Sequence, residues 1–288
     1  MAEKLLSVQN HDRDAAGMTY VYPVVSRRAG GVSVGINLNP NNACNWHCAY
    51  CQVPGLIRGS APAIDLHQLK DELEMMLNDV IHGSFMTERV PEDCRTLCDI
   101  AISGNGEPTS CHNFGEIVQL IISVMQQSGM DDNVKLRLIT NGSYLHRPNV
   151  QAGLKLMSEL FDQRGGEVWV KVDSVTEAGI ARINGITATP ELLFKQVETA
   201  ARLCPTWIQT CMFAWDGCEP SAGEVNGYLA FIQRLKAEAI PVRGVLLYGL
   251  ARPSMQAEAE HLGALTSAWM QLMADKIRAM GVDVKLAL

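Results

Sequence analysis

From residue 31 onward the apolar positions of this chain alternate between two rhythms, period 2 and period 3.6. The first run, GVSVGINL, puts Val32, Val34, Ile36 and Leu38 on every second position, the pattern of a strand with one buried face. Pro40 and the Asn-rich stretch around it close that strand and open a long loop. A helix follows, with Asp65 as N-cap and Leu66, Leu69, Leu73, Met76 and Leu77 at helical spacing. Further strands are predicted at 99–103, 134–141, 167–174, 206–213 and 242–250. The helices between them start at Asn113 with Glu116 three residues on, span 149–161, start at Thr189 with Pro190 in the first helical position, and start at the capping box of Ser221 with Glu224. A final helix carries Trp269, Leu272, Met273, Ile277 and Met280.

Six strand–helix units need crossover connections, which make neighbouring strands parallel and gather the functional loops at their C-terminal ends. Such a sheet either stays open and doubly wound or curls into a partial barrel. Residues 1–30 are weakly periodic and are expected to pack on the barrel as an N-terminal extension covering one edge or end. Residues 31–288, C-terminal helix included, are expected to form one domain, because no Pro- or Ser-rich linker, repeat or low-complexity segment divides them.

Composition narrows the function classes. With 47% hydrophobic and 19% charged residues the chain is expected to fold. A formal net charge of −7 supplies no broad positive field, which argues against bulk nucleic-acid binding and leaves room only for a local patch on one structured RNA. No apolar run approaches the ~18 residues of a membrane span, since 117–125 is broken by Gln119 and Ser123. MAEKLLSVQNHDRD has neither a signal-peptide core nor a transit pattern, so the expected location is cytoplasmic. Nine cysteines, an odd number, in a reducing compartment point to metal binding or chemistry rather than to a disulfide framework.

The loop after the first strand reads CNWHCAYC and sets Cys44, Cys48 and Cys51 within eight residues. Thiolates suit zinc or iron-sulfur clusters, and structural zinc normally takes four ligands in two separated pairs. Here three are crowded, and His47, flanked on both sides, is an awkward fourth. A 4Fe-4S cluster held by three cysteines keeps one iron open to a non-protein ligand. The spacing favours that cluster over zinc, and both over buried apolar cysteines.

With Tyr50 just before its last cysteine, the array resembles the cluster loop of the radical S-adenosylmethionine (radical SAM) superfamily. The resemblance covers roughly residues 31–250 and implies a partial parallel (β/α)6 barrel. SGNGEPT at 103–109, after the second strand, resembles the superfamily's glycine-glutamate motif. By itself it reads as a turn whose glycines permit close backbone approach and unusual dihedrals. The resemblance implies that Gly104, Gly106 and Glu107 hold the amino group of S-adenosylmethionine. It also makes Tyr50, Thr140, Asn141, Lys171 and Asp173 candidates for contacts with that cofactor, although TNG and KVDS at strand ends are also ordinary turn sequences. Lys171 and Asp173, two apart, are expected on one face.

GINLNP, CQV, GNGEPT and ARP at 251–253 more specifically resemble a bacterial group related to wyosine-type tRNA-modifying radical enzymes. The implied chemistry is reductive cleavage of S-adenosylmethionine to methionine and a 5′-deoxyadenosyl radical that abstracts hydrogen from a small-molecule or peptide substrate. An electron donor of flavodoxin or ferredoxin type is the implied partner. Two rival readings are an RNA-modifying enzyme on the same cluster and a zinc-stabilised binding protein without turnover. A second cluster would draw on Cys94, Cys98 and Cys111, or on Cys204, Cys211 and Cys218, but one cluster is favoured. Met75, Met76, Met270, Met273 and Met280 are read as core, and His67, His82 and His261 as structural or solvated. Tyr248 and Arg252 fall where barrel substrates bind.

Overall fold

The computed structural model describes residues 5–6, 17–26, 30–162 and 165–288. Its main sheet has eight strands: β1 Val21–Ser26, β2 Gly31–Ile36, β3 Leu97–Ile102, β4 Lys135–Thr140, β5 Gly166–Lys171, β6 Thr206–Cys211, β7 Val242–Tyr248 and β8 Val284–Ala287. They lie side by side in chain order. β1 pairs antiparallel with β2, Val21 against Ile36 and Ser26 against Gly31, and every later pair is parallel. A doubly wound sheet reverses its order at a switch point; this one never reverses, and it curls into a half-barrel.

The helices are α1 Leu66–His82, α2 Phe85–Arg89, α3 Phe114–Gln127, α4 Pro148–Glu159, α5 Glu177–Asn184, α6 Pro190–Leu203, α7 Ala222–Ala237 and α8 Ser267–Ala279. Period-2 alternation explains how they dock. Val32, Val34 and Ile36 of β2, Leu136 and Leu138 of β4, and Val168 and Val170 of β5 are buried in one core with Leu69, Leu73, Ile117, Ile121 and Val197 from the helices. Ser33, Gly35, Arg137, Ile139, Trp169 and Lys171 point to the other face and line a cavity. The polar positions inside the strands are therefore the wall of a site. Each buried Val, Leu or Ile contributes ~1.5–3 kcal/mol against about 1 kcal/mol for a helix cap, so the core and not the caps dominates stability.

The caps predicted at Asp65, Thr189 and Ser221 form, each side chain accepting helix N–H groups. Asn113 occupies the N-cap position of α3 but does not cap it, because its Oδ1 takes the Cys111 thiol at 3.1 Å. Met76, Met270 and Met273 are core residues and Met280 is partly buried. Met75 is instead exposed, one step off the Leu69–Leu73–Met76 stripe, and so is Leu272.

The chain also forms elements that the periodicity did not reveal: β1, β8, α2 and α5. β1 contains Pro23, which an edge strand tolerates. It is anchored by Glu72 of α1, whose buried carboxylate accepts the N–H groups of Thr19, Tyr20 and Val21 at 3.0, 2.7 and 3.2 Å. The packing expected of residues 1–30 falls largely outside the described residues; within them, Leu6 N–H donates to Arg89 O at 2.8 Å. Among the described residues no helix is long and apolar enough to cross a membrane.

Candidate active site

A cavity of about 1140 Å³ opens on the concave face of the half-barrel. Cys44, Cys48 and Cys51 all line it, together with Gly104, Gly106, Glu107, Thr140, Asn141, Tyr50 and Lys171. The loop that carries the cysteines is held at both ends. Ala43–Cys44 pairs with Ile57–Arg58, and Cys51 N–H closes a turn on Cys48 O at 2.9 Å. From the far side of the barrel, Ser254 Oγ, Met255 N–H and Gln256 Nε2 all donate to Cys51 O, at 3.2, 2.9 and 3.2 Å.

All nine cysteines are free thiols. Burial is the main cause that pushes the Cys44 thiol up to about 12, with the nearby Glu107, Cys48 and Cys51 adding to it against the Trp46 N–H. Burial likewise pushes Cys48 up to about 11, opposed by the Lys171 ammonium. Iron binds thiolates, so a cluster held by these residues would have to displace their protons. Among the described residues no three His, Cys, Asp or Glu side chains converge on a single-ion site. Each thiolate of a cubane binds its own iron, so a four-iron cluster does not need such convergence, whereas a mononuclear zinc does.

The glycine-rich loop packs directly on the cysteine loop. A Cβ on Gly104 would lie 2.2 Å from Asn37 Oδ1, and one on Gly106 only 2.0 Å from Ala43 O. Neither glycine has a positive φ, so close approach, and not an unusual dihedral, is what requires them. Asn37 Oδ1 joins the two loops by accepting Asn39 N–H and Asn105 N–H, both at 3.0 Å.

Glu107 is almost fully buried. Its carboxylate accepts Thr109 N–H at 3.1 Å, the Thr109 hydroxyl at 2.5 Å, Thr140 Oγ1 at 2.6 Å and Asn141 N–H at 2.7 Å. Three of these donors meet Oε1 and one meets Oε2, which leaves acceptor capacity on Oε2. Burial raises its pKa from the ordinary carboxylate value despite those four bonds. Asn141 also ties the site to the cysteine loop, through Nδ2 to Asn45 Oδ1 at 2.9 Å.

Tyr50, Lys171 and Asp173 form a third group. Tyr50 donates to Asp173 Oδ2 at 2.6 Å, and Lys171 Nζ lies 4.6 Å from the Tyr50 ring centroid. Burial opposes the Lys171 charge, but Tyr248, Cys48, Asp173 and Cys211 outweigh it and hold the ammonium above its ordinary range. Asp173 does not line the cavity; it stands behind Tyr50 and also accepts Asn184 Nδ2 at 2.8 Å and Cys211 N–H at 3.0 Å.

Neither trio considered for a second cluster assembles. Cys94 and Cys98 lie at the start of β3 and Cys111 beyond its end; Cys204 precedes β6, Cys211 ends it and Cys218 is exposed in a turn. His67 lies beside Asp71 on α1, and His261 pairs with Asp216 at 2.6 Å while stacking on Trp215. Tyr248 and Arg252 do line the cavity. Sequence reasoning missed Asn37, Asn184 and Gln209. Gln209 alone had a local signal, as a polar residue inside the apolar run TWIQTCMF.

Gln209 is 3% exposed and lines the cavity; Nε2 donates to Tyr248 Oη at 3.2 Å, while Oε1 has no partner. Asn105, also in the lining, likewise has a buried carbonyl oxygen without a partner. Three soft thiols, a buried carboxylate with spare acceptor capacity, a half-buried ammonium and these two amide oxygens fit a cluster and a charged cofactor in one cavity.

The family model of the radical SAM superfamily matches residues 38–215. A UPF0026 protein of Helicobacter pylori (strain ATCC 700392 / 26695) is 32% identical over 134 residues, which are 46% of this chain and 38% of that protein. The match thus spans well under half of that relative's length. SuiB of Streptococcus suis bound to S-adenosylmethionine superposes over 90% of this chain and 50% of its own, with a TM-score of 0.57 at 11% identity. TYW1 with a lysine-pyruvate adduct bound superposes over 96% and 79%, with a TM-score of 0.55 at 14% identity. At such identities these structures share the fold. The family match covers more than half of the 288 residues and includes both the cysteine array and the glycine-rich loop that share the cavity, and on that ground the chain belongs to the radical SAM superfamily, enzymes that use a 4Fe-4S cluster and S-adenosylmethionine.

Proposed function

We propose that this chain holds one 4Fe-4S cluster on Cys44, Cys48 and Cys51 and acts, with S-adenosylmethionine, on a small-molecule or peptide substrate in the half-barrel. The observation that carries this reading is the shared cavity: the three cysteines, Glu107 and Lys171 face one space. The cluster and cofactor supply one-electron cleavage of a sulfonium and the hydrogen abstraction that follows; the protein supplies binding, orientation and shielding. Glu107 offers Oε2 to the cofactor's ammonium, with Gly104 and Gly106 allowing the loop to come close. Lys171 offers its ammonium to the cofactor's carboxylate, and Thr140 and Asn141 fix Glu107. Asp173 serves as a positioning residue for Tyr50. The electron comes from a flavodoxin- or ferredoxin-type carrier, and free thiols suit a cytoplasmic setting.

Gln209 and Tyr248 are assigned to the substrate. A buried carbonyl oxygen without a donor costs roughly 1–3 kcal/mol, which a substrate N–H or O–H would recover. Two measurements test this. Fractionated cell extract, split into small molecules, peptides and RNA, should stimulate 5′-deoxyadenosine formation through the first two; stimulation confined to an RNase-sensitive fraction would overturn the substrate assignment. Gln209→Leu should leave the slow substrate-free formation unchanged and cut the stimulated rate by about 5- to 150-fold. Equal loss of both rates would move Gln209 to the cofactor.

A further inference from the structure

Asn184, the last residue of α5, is 1% exposed and lies under the cysteine loop. Its amide nitrogen donates to Cys48 Sγ at 3.5 Å and to Asp173 Oδ2 at 2.8 Å. Its backbone carbonyl accepts His47 N–H at 3.0 Å, and the preceding Ile183 O accepts Ala49 N–H at 2.8 Å. Gly185 follows at φ 64°, in the left-handed region, and brings the chain so near the loop that a Cβ there would lie 2.6 Å from His47 O. Arg58 fastens the same junction, donating to Asn45 O and Gly185 O.

The orientation of the Asn184 amide is dictated by chemistry. Asp173 Oδ2 is a pure acceptor when ionised, so the NH2 end of the amide must face it. That same end then reaches Cys48. Among the described residues, two N–H groups touch the sulfurs of the cysteine array: Trp46 N–H on Cys44 Sγ at 3.4 Å, and Asn184. The first belongs to the backbone and follows from the loop conformation. The second is a side-chain donor delivered from 136 residues away.

Hydrogen bonds to the sulfurs are among the levers that set a cluster's reduction potential. Reduction adds negative charge to the cluster and its thiolates, and a donor aimed at sulfur stabilises the charged form more. We propose that Asn184 is a positioning residue that raises the reduction potential of the cluster through its N–H···S bond to Cys48. The inference rests on Cys48 being a cluster ligand.

The test is a redox titration of the reconstituted protein, followed by electron paramagnetic resonance without S-adenosylmethionine. Asn184→Leu should shift the midpoint to more negative potential with iron and sulfide per chain unchanged. Asn184→Ala, which also removes the donor, should shift it likewise, and Asn184→Gln, which keeps an amide donor, should recover part of the shift. Midpoints equal to wild type in both Leu and Ala variants that retain the cluster would overturn the proposal. Should those variants lose the cluster, electron-nuclear double resonance on wild-type protein labelled with 15N-asparagine decides. A 15N coupling to the reduced cluster that disappears in Asn184→Gln supports Asn184, whereas an exchangeable proton alone would also come from Trp46 N–H, and absence of that 15N coupling overturns the proposal. Wild-type protein that binds no four-iron cluster would defeat the assignment of Cys48 itself, separately from the role of Asn184.

Discussion

Changing Cys44, Cys48 and Cys51 together to Ala should abolish iron-sulfur binding, from about four irons and four sulfides per chain after anaerobic reconstitution to none. The remaining six cysteines cannot substitute, because they are scattered over both ends of β3, both ends of β6 and an exposed turn. Each single variant should lose most of the cluster too, since a cubane held by two thiolates leaves two irons open. The fold should survive. Cys44, Cys48 and Cys51 are only partly buried, and the loop is held by backbone pairing with Ile57–Arg58 and by the donors to Cys51 O. Iron and sulfide analysis beside far-ultraviolet circular dichroism checks both statements. Full iron in the triple variant would refute the site.

Glu107 should prove costly to replace in two separable ways. The proposed contact to the cofactor's ammonium would be worth ~1.5–3 kcal/mol, so its loss should weaken S-adenosylmethionine binding by roughly 10- to 150-fold. The carboxylate is also the hub of four internal donors, and Glu107→Ala strands the backbone N–H groups of Thr109 and Asn141. At ~1–3 kcal/mol for each buried unsatisfied donor, stability should fall by roughly 2–6 kcal/mol. Glu107→Gln retains the acceptor at Oε1 and strands mainly Asn141 N–H, so it should lose the affinity with less of the stability. Burial holds the Glu107 pKa above its unfolded value. Its contribution to the stability of the cofactor-free protein is therefore full below the unfolded pKa and lost as pH rises through the folded one. The proposed contact with the cofactor's ammonium needs the ionised form, so affinity should fall as pH drops through that folded pKa. Calorimetric titration of the wild type and both variants, with thermal melts, separates the two effects. Unchanged affinity in Glu107→Gln would return the glycine-rich loop to a structural turn.

The legible features of the sequence were the local ones. The alternation of Val32, Val34 and Ile36 revealed a two-faced strand within six residues, and the three cysteines fall within eight. Strand–helix repetition indicated a parallel sheet, but its curl appears only in an unreversed strand order that alternation does not encode. β1 went unread because Pro23 interrupts it, and α5 because it is short and carries Gly179. Glu107 was visible as a motif, but its four donors come from the next turn and from the end of β4. Asp173 looked like a cavity residue by its spacing from Lys171, yet the chain leaves β5 at Lys171 and places Asp173 behind Tyr50. Cys48 and Tyr248 lie 136 and 39 residues from their partners Asn184 and Gln209, and no window along the chain contains both ends of such a contact.

The most direct measurement is chromatographic detection of 5′-deoxyadenosine after strong chemical reduction of the anaerobically reconstituted protein with S-adenosylmethionine and no substrate. Slow formation is expected in the wild type, because a cavity without substrate still lets the cluster face the cofactor, and none in the triple Cys→Ala variant. Absence of 5′-deoxyadenosine from wild-type protein carrying its full four irons and sulfides would contradict the radical mechanism.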